Sequence, residues 1–463
     1  MVFTDWTFYV FFTVAFSIYW AIRANKWRKV WLLACSAVFY AAWDWRLLGL
    51  VLIVVVNTYV VTRLVGNVAS VSRRKPVLIG GIFINLTLLG FFKYYNFFVV
   101  SLSQLLPVDS VTANIVLPIG ISFYTFHSLS YMIDTYRRKI TPTRNFVDVA
   151  LYILFFPQLV AGPIVRATDL LPQMRTARLF EAVDFKYSLA LFFVGYFKKA
   201  VISDNLSPFV DRFFAHPNAF GGIDGIEAML LYATQIYCDF SGYTDMAIAV
   251  AGMLGYSLKP NFDHPYLAPS LIEFWRRWHM SLSFWLRDYL YIPLGGNRGG
   301  PSAQARNIVI TMLLGGLWHG ASWTFVIWGG LHGVGLVLCR AWQRLRERLQ
   351  PGRSPRYSLT GNMLTFIFVC LAWMVFRSPG FADLATITGR FGVWMSPSLL
   401  PWQIFVPLMF ALLLTHVVSY RFTPPAFASM TSDTVFAGAY GAAIAAVLPF
   451  VNVTVKPFIY FRF

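Results

Sequence analysis

The run LLGLVLIVVVNTYVV, Leu47 to Val61, sets the class of this chain. It carries no charge, and with its neighbours it approaches the roughly 20 apolar residues that a helix needs to cross a bilayer. MLTFIFVCLAWMVF, Met363 to Phe376, repeats the pattern, and further apolar runs end at Cys339, Tyr420 and Val451. The 463 residues are 57% hydrophobic and 13% charged, against about 25% charged in soluble domains. Mean hydropathy is +0.59. The spacing of the runs predicts an all-α polytopic integral membrane protein with about ten to twelve spanning helices. Shorter apolar stretches would be re-entrant or interfacial.

Met1 to Ile22 is apolar, but Asp5 stands where a signal peptide has basic residues and no A-x-A pattern follows. It is read as a retained first helix. The net charge is +18, from 38 Lys+Arg against 20 Asp+Glu. The basic clusters RANKWRK (Arg23 to Lys29), RRK (Arg73 to Lys75) and RAWQRLRERLQPGRSPR (Arg340 to Arg356) each separate apolar segments. Lys and Arg collect in cytoplasmic loops, so the first loop is expected in the cytoplasm and the amino terminus outside. Anionic headgroups, not nucleic acid, are the natural partner of this charge. Cys35, Cys238, Cys339 and Cys370 lie far apart, without metal-ligand spacing, and read as small apolar residues.

No linker divides the chain, and a single domain is expected: a core of about residues 1–390 with additional spans at about 400–452. Polarity is uneven. From Met1 to about Lys93 the spans are plain, and from about Trp342 onward they are plain again. Between Pro118 and His332, ionisable and amide groups enter apolar stretches. Such groups are costly at membrane depth and mark functional interiors.

The densest of these stretches is EFWRRWHMSLSFWLRDYLYIPLGG, Glu273 to Gly296. At 100° per residue, Trp275, Trp278, Leu282, Trp285, Tyr289 and Ile292 share one stripe of a helix. Arg276, Ser283 and Arg287 share another. As a set, the arginines and aromatics read as an interfacial amphipathic helix with snorkelling cations and rings at the headgroups. His279, at the border of the apolar face, is the one group there that exchanges a proton near neutral pH. In TMLLGGLWHGASWTFVIWGGLHG, Thr311 to Gly333, Gly315, Gly316 and Gly320 bracket His319, so that backbones or a thin substrate can approach it. His332 stands about 220° around an unbroken helix from His319 and is read as structural. Upstream, His127 and Asp134 share a helix face, Gln158 precedes a Gly162-Pro163 break, and Asp239 and Asp245 flank Gly242. Hydrogen bonding between helices accounts for these as well as direct chemistry does. His216, His264 and His416 have no polar company from which a role could be argued. No G-x-S-x-G elbow, phosphate loop or H-E-x-x-H pair occurs.

FWRRWHMSLSFWLRDYLYIPLGG followed by LWHGASWTFVIWGGLHG resembles the membrane-bound O-acyltransferase family. YCDFSGYTDMAIA, LFFPQLVAGPI and the terminal PFIYFRF resemble its bacterial alginate- and polysaccharide-acetylating branch. The likeness covers nearly the whole chain, and the apolar spans after about Pro401 favour that branch over the D-alanyl-transferring one. His127 departs from the pattern, standing where Gln is frequent. The resemblance implies catalytic histidines at His319 and His279, meeting in a central tunnel. It also implies an acyl-CoA donor, most simply acetyl-CoA, from the cytoplasm, with no bound cofactor or metal. The acceptor would be an exopolysaccharide hydroxyl, reached directly or through an extracytoplasmic partner protein. The location implied is the bacterial inner membrane. On this reading Arg276, Arg277, Arg298, Trp275 and Trp278 bind the donor, and Ser283, Asp288, Asn297, Asp239 and Gln158 are supporting polar groups. A transporter for a glycan or lipid intermediate, or a membrane scaffold, remains the alternative from composition alone.

Overall fold

The computed structural model describes residues 1–68, 70–106, 111–159, 162–350, 358–393 and 399–451. Among these the secondary structure is helical throughout. Six helical stretches are long and apolar enough to cross a membrane: Asn25–Asn67, Ser72–Ser103, Trp323–Leu349, Leu359–Arg377, Trp402–Arg421 and Asp433–Phe450. The first contains two helices, Asn25–Asp44 and Leu48–Asn67, of 20 residues each, joined by the short turn Trp45–Leu47. Trp6–Ala21 is apolar but shorter. The terminal PFIYFRF lies outside the described residues, as does part of the Arg340 to Arg356 cluster.

The chain forms two compact units. The first comprises Met1–Phe192 and Tyr243–Lys259. Its interior is held by polar groups as well as apolar packing. Thr58 Oγ1 and Ser128 Oγ lie 2.5 Å apart, Asn85 Nδ2 donates to Ser128 Oγ at 2.5 Å, and Asn57 Nδ2 donates to Asn85 Oδ1 at 2.9 Å. In an apolar interior such bonds cross-link neighbouring helices. Two residues of the first basic cluster do more than mark topology. Arg28 lies over Tyr19 and Trp20 and donates to the Arg178 carbonyl, while Lys29 pairs with buried Asp148 at 2.5 Å.

The second unit comprises Phe193–Gly242 and Pro260–Phe463. At its centre the Gly300–His319 and Trp323–Leu349 helices form a hairpin. The hairpin is tight because two glycines meet at the crossing. A Cβ on Gly316 would lie 2.2 Å from the Phe325 carbonyl oxygen, and one on Gly329 would lie 2.2 Å from that of Met312. Of the two uses foreseen for the glycines near His319, Gly316 therefore serves backbone approach. The carboxyl-terminal Trp402–Arg421 and Asp433–Phe450 stretches expose their apolar side chains, as lipid-facing helices do.

The structure corrects the reading of Glu273 to Gly296 as one helix. The helix Leu271–Arg277 ends at Trp278, His279 adopts the left-handed conformation (φ 43°, ψ 54°), and a second helix runs from Met280 to Leu286. The continuous stripe does not form. Trp275, Trp278, Leu282, Trp285 and Tyr289 are buried while Ile292 is exposed, so the rings pack in protein rather than sit at headgroups.

Candidate active site

Local sequence explains the break. Ser270 caps the first short helix, its Oγ accepting from the Glu273 backbone N–H, and Arg276 and Arg277 occupy its last turn, where the helix dipole favours cations. Two backbone hydrogen bonds tie the break to the Pro260–His264 loop. Asp263 N–H donates to the Arg277 carbonyl at 3.0 Å, and Met280 N–H donates to the Asn261 carbonyl at 2.9 Å. Histidine tolerates the left-handed region better than most residues, and these bonds hold it there.

His319 arrives from the hairpin, as the last residue of its first helix. Gly320 continues extended, and Ser322 caps the next helix by accepting from Thr324 N–H at 3.3 Å. The two imidazoles converge, with ring centroids 6.4 Å apart. His279 is 0% exposed and His319 4%. Trp318 contacts both rings, at 6.1 Å and 5.1 Å. Trp328 and Phe376 stand edge-on to His319 at 5.1 Å and 5.4 Å, and Phe240 stands edge-on to His279 at 4.6 Å. The result is a pair of imidazoles in an aromatic cage. His279 lies outside the six candidate spans, and burial pushes its imidazole down to about 3, which keeps it neutral across the physiological range.

The other residues singled out in sequence fall into three groups. Trp275 and Trp278 pack behind the cage, Trp275 against Trp328 and Trp278 against Trp373. Trp278 stacks on Phe274 and packs against Trp373 at 4.9 Å. Trp275 donates from Nε1 to His332 Nδ1 at 3.2 Å. His332 thus joins the cluster through Trp328, 4.8 Å from its ring. The unbroken helix that had set it apart from His319 is interrupted at Gly320.

The second group lies on the surface. Exposed Arg276 pairs with Glu273 at 2.5 Å, whereas Arg277 is largely covered and lies over the Tyr420 ring. Arg298 is exposed in the turn before the Gly300–His319 helix. Asp288 pairs with Arg287 at 2.6 Å, and Asn297 Oδ1 accepts from Tyr291 Oη and Gln304 Nε2.

The third group is structural in its contacts. Ser283 Oγ donates to the Trp278 carbonyl across the break. Asp239 binds Lys199 at 2.6 Å, and Lys199 also holds Asp204 at 2.7 Å, all three buried. Gln158 belongs to the first unit, where its Nε2 donates to the Tyr152 carbonyl. In that unit too, His127 Nε2 accepts from Val165 N–H at 3.2 Å, a helix-to-loop bond.

Five site neighbours escaped the sequence reading: Phe240, Trp318, Trp328, Phe376 and Asn261. Asn261 Oδ1 lies 3.2 Å from His279 Nδ1 and accepts from Ser281 N–H at 3.1 Å and Ser281 Oγ at 2.9 Å. Little in the sequence singles it out: it follows Pro260 in a polar stretch with Lys259, Asp263 and His264. His264, dismissed for want of polar company, lies 3.2 Å from Asp263 Oδ1 and 3.0 Å from Ser419 Oγ, with the His416 ring at 5.2 Å. Among the described residues no group of three or more His, Cys, Asp or Glu side chains could hold a metal ion.

Two buried imidazoles side by side can carry acid–base acyl transfer, and the chain belongs to the membrane-bound O-acyltransferase family, whose model matches residues 8–379. It is a multi-pass membrane O-acyltransferase. It is 40% identical over 428 residues to the "Probable alginate O-acetylase AlgI" of Azotobacter vinelandii, covering 90% of this chain and 84% of that one. The "Peptidoglycan O-acetyltransferase" of Helicobacter pylori is 35% identical over 416 residues, with 83% and 78% covered. The "Teichoic acid D-alanyltransferase" of Streptococcus thermophilus is 28% identical over 319 residues, 61% of this chain and 74% of that one. Family membership removes the transporter and scaffold readings.

Proposed function

We propose that this protein takes an acetyl group from cytoplasmic acetyl-CoA and passes it across the bacterial inner membrane to a hydroxyl of a cell-envelope polysaccharide, directly or through an extracytoplasmic partner protein. The observation that carries the reading is the His279–His319 pair, buried and 6.4 Å apart between ring centroids. Acetyl is favoured over D-alanyl because the O-acetylating relatives match 83% and 90% of this chain and the D-alanyltransferase 61%. An exopolysaccharide acceptor follows the nearer likeness.

In this reading the chain works as one acyltransferase domain of about ten to twelve spanning helices around a tunnel, with its amino terminus on the extracytoplasmic side. The thioester enters from the cytoplasm and the hydroxyl from the other side. His319 removes the hydroxyl proton as the alkoxide oxygen bonds to the thioester carbonyl carbon, a role worth roughly 10²- to 10⁴-fold. Collapse of the tetrahedral intermediate breaks the C–S bond, and His319 returns the proton to the departing thiolate. His279 orients the acceptor or donates to the oxyanion. Arg276 and Arg298, both exposed, meet the phosphates of the donor, with Arg277 behind them. The Arg276–Glu273 pair does not prevent this, since exposed pairs contribute only about 0–1 kcal/mol.

Purified protein in detergent with labelled acetyl-CoA and an oligosaccharide acceptor tests the assignment. His319→Ala should lose nearly all transfer, and a variant transferring at the wild-type rate would refute the base. The double variant Arg276→Ala/Arg277→Ala should raise the KM for acetyl-CoA; an unchanged KM makes those arginines membrane anchors.

A further inference from the structure

The two roles left open for His279 need opposite chemistry at Nε2. Accepting from a hydroxyl of the acceptor needs a lone pair there, whereas donating to an oxyanion needs a proton. The structure distinguishes them through Asn261, a residue 1% exposed. The Asn261 side-chain atom nearest Ser281 N is 3.1 Å away. A backbone N–H only donates, so that atom is the amide oxygen and not the amide nitrogen. The same oxygen lies 3.2 Å from His279 Nδ1. An oxygen already accepting from the Ser281 N–H and Oγ–H cannot donate, so Nδ1 carries the hydrogen. A neutral imidazole has one N–H. His279 Nε2 therefore holds the lone pair, and among the described residues that buried atom has no hydrogen-bond partner. A buried acceptor left without a donor is unfavourable, and a site that takes a hydroxyl relieves it.

We infer that Asn261 is a positioning residue that locks His279 as the Nδ1–H tautomer, so that Nε2 accepts a hydrogen bond from a second hydroxyl of the polysaccharide, beside the reacting one whose single proton goes to His319, and does not serve as the oxyanion donor. The inference rests on the acyl-transfer reading above. The backbone bond from Met280 N–H to the Asn261 carbonyl fixes the spacing from the other side. Phe240 edge-on to the ring removes its remaining freedom to turn.

Asn261→Asp keeps an oxygen facing Nδ1 and Ser281 but adds negative charge beside the imidazole. The charge stabilises the imidazolium, which has no lone pair at Nε2. The acid limb of the kcat/KM pH profile should therefore move to higher pH by about 1 unit or more. Asn261→Ala should lower kcat about tenfold with the KM for acetyl-CoA unchanged. A folded Asn261→Asp whose acid limb coincides with wild type overturns the proposal. A second measurement needs only that His279→Gln folds. In wild-type protein labelled with ¹⁵N-histidine, and with the His279 resonances identified by their loss in His279→Gln, Nδ1 should show the protonated shift and Nε2 the unprotonated one. The reverse pattern overturns the proposal. If His279→Ala transfers at the wild-type rate, the functional reading itself falls. If His279→Ala is inactive while Nε2 is the protonated atom, only the tautomer assignment falls.

Discussion

Gly315 and Gly316 are adjacent in one helix, so alanine gains the same intrinsic preference at either, up to about 1 kcal/mol. Their surroundings differ. A Cβ on Gly315 meets only the Leu286 Cδ1 methyl at 3.1 Å, the far end of a flexible side chain. A Cβ on Gly316 lies 2.2 Å from the Phe325 carbonyl oxygen and 3.1 Å from the Gly329 Cα. Relieving that overlap requires the hairpin helices to separate by about 1 Å at a crossing of backbone against backbone, in an interior packed like a molecular crystal. Overpacking of this kind costs about 1–3 kcal/mol. His319 lies three residues beyond Gly316, so the displacement also moves its imidazole away from His279. A misplacement near 1 Å costs on the order of 10² in rate. Both variants would be purified in detergent and compared by thermal unfolding and by acetyl transfer. We expect Gly315→Ala to unfold at or above the wild-type temperature with most of its activity, and Gly316→Ala to unfold earlier with activity down by about two orders of magnitude. If the two variants match in both measurements, the hairpin contact does not set the position of His319.

Lys199→Met leaves Asp204 and Asp239 facing each other without their shared buried cation, and loss of one partner from a buried ionic group costs about 3–5 kcal/mol. Denaturant unfolding should show that loss, with partial recovery on adding Asp239→Asn. Trp275→Phe removes the donor to His332 Nδ1 and should cost about 1–2 kcal/mol in the same assay; an unchanged midpoint would mean that the indole N–H adds nothing. Because the folded His279 resists protonation until about 3 while an unfolded imidazole takes its proton near 6.5, stability from this group is complete above pH 6.5. It is lost as pH falls toward 3. Unfolding temperatures of His279→Gln should decline less steeply than wild type over that window; parallel curves would count against a buried neutral imidazole.

The membrane class was legible in sequence for physical reasons, and the pairing of His279 with His319 through the family resemblance. Apolar runs must be long to cross lipid, and imidazoles are rare in such surroundings. The break at His279 was not legible, because the Trp275-to-Tyr289 spacing fits one helix equally well. Periodicity records which residues avoid water and says nothing of a single residue turning left-handed. What decides the turn comes from elsewhere in the chain: the carbonyl and side chain of Asn261 and the N–H of Asp263, all in a loop before the motif. The placement of both imidazoles at helix ends follows from the same constraint. A residue inside a helix has its backbone groups consumed by the helix, and its side chain is aimed by the helix face. At an end, backbone groups are freed and must find partners inside the protein. His279 and His319 each occupy such an end, the first with its bonds to the Pro260–His264 loop and the second followed by an extended glycine. Their relative position therefore depends on the loop and on the Gly316–Gly329 crossing, not on the phase of either helix. Substitutions at Asn261 or Gly316 should thus disturb catalysis more than substitutions along the outer faces of the helices that carry the histidines.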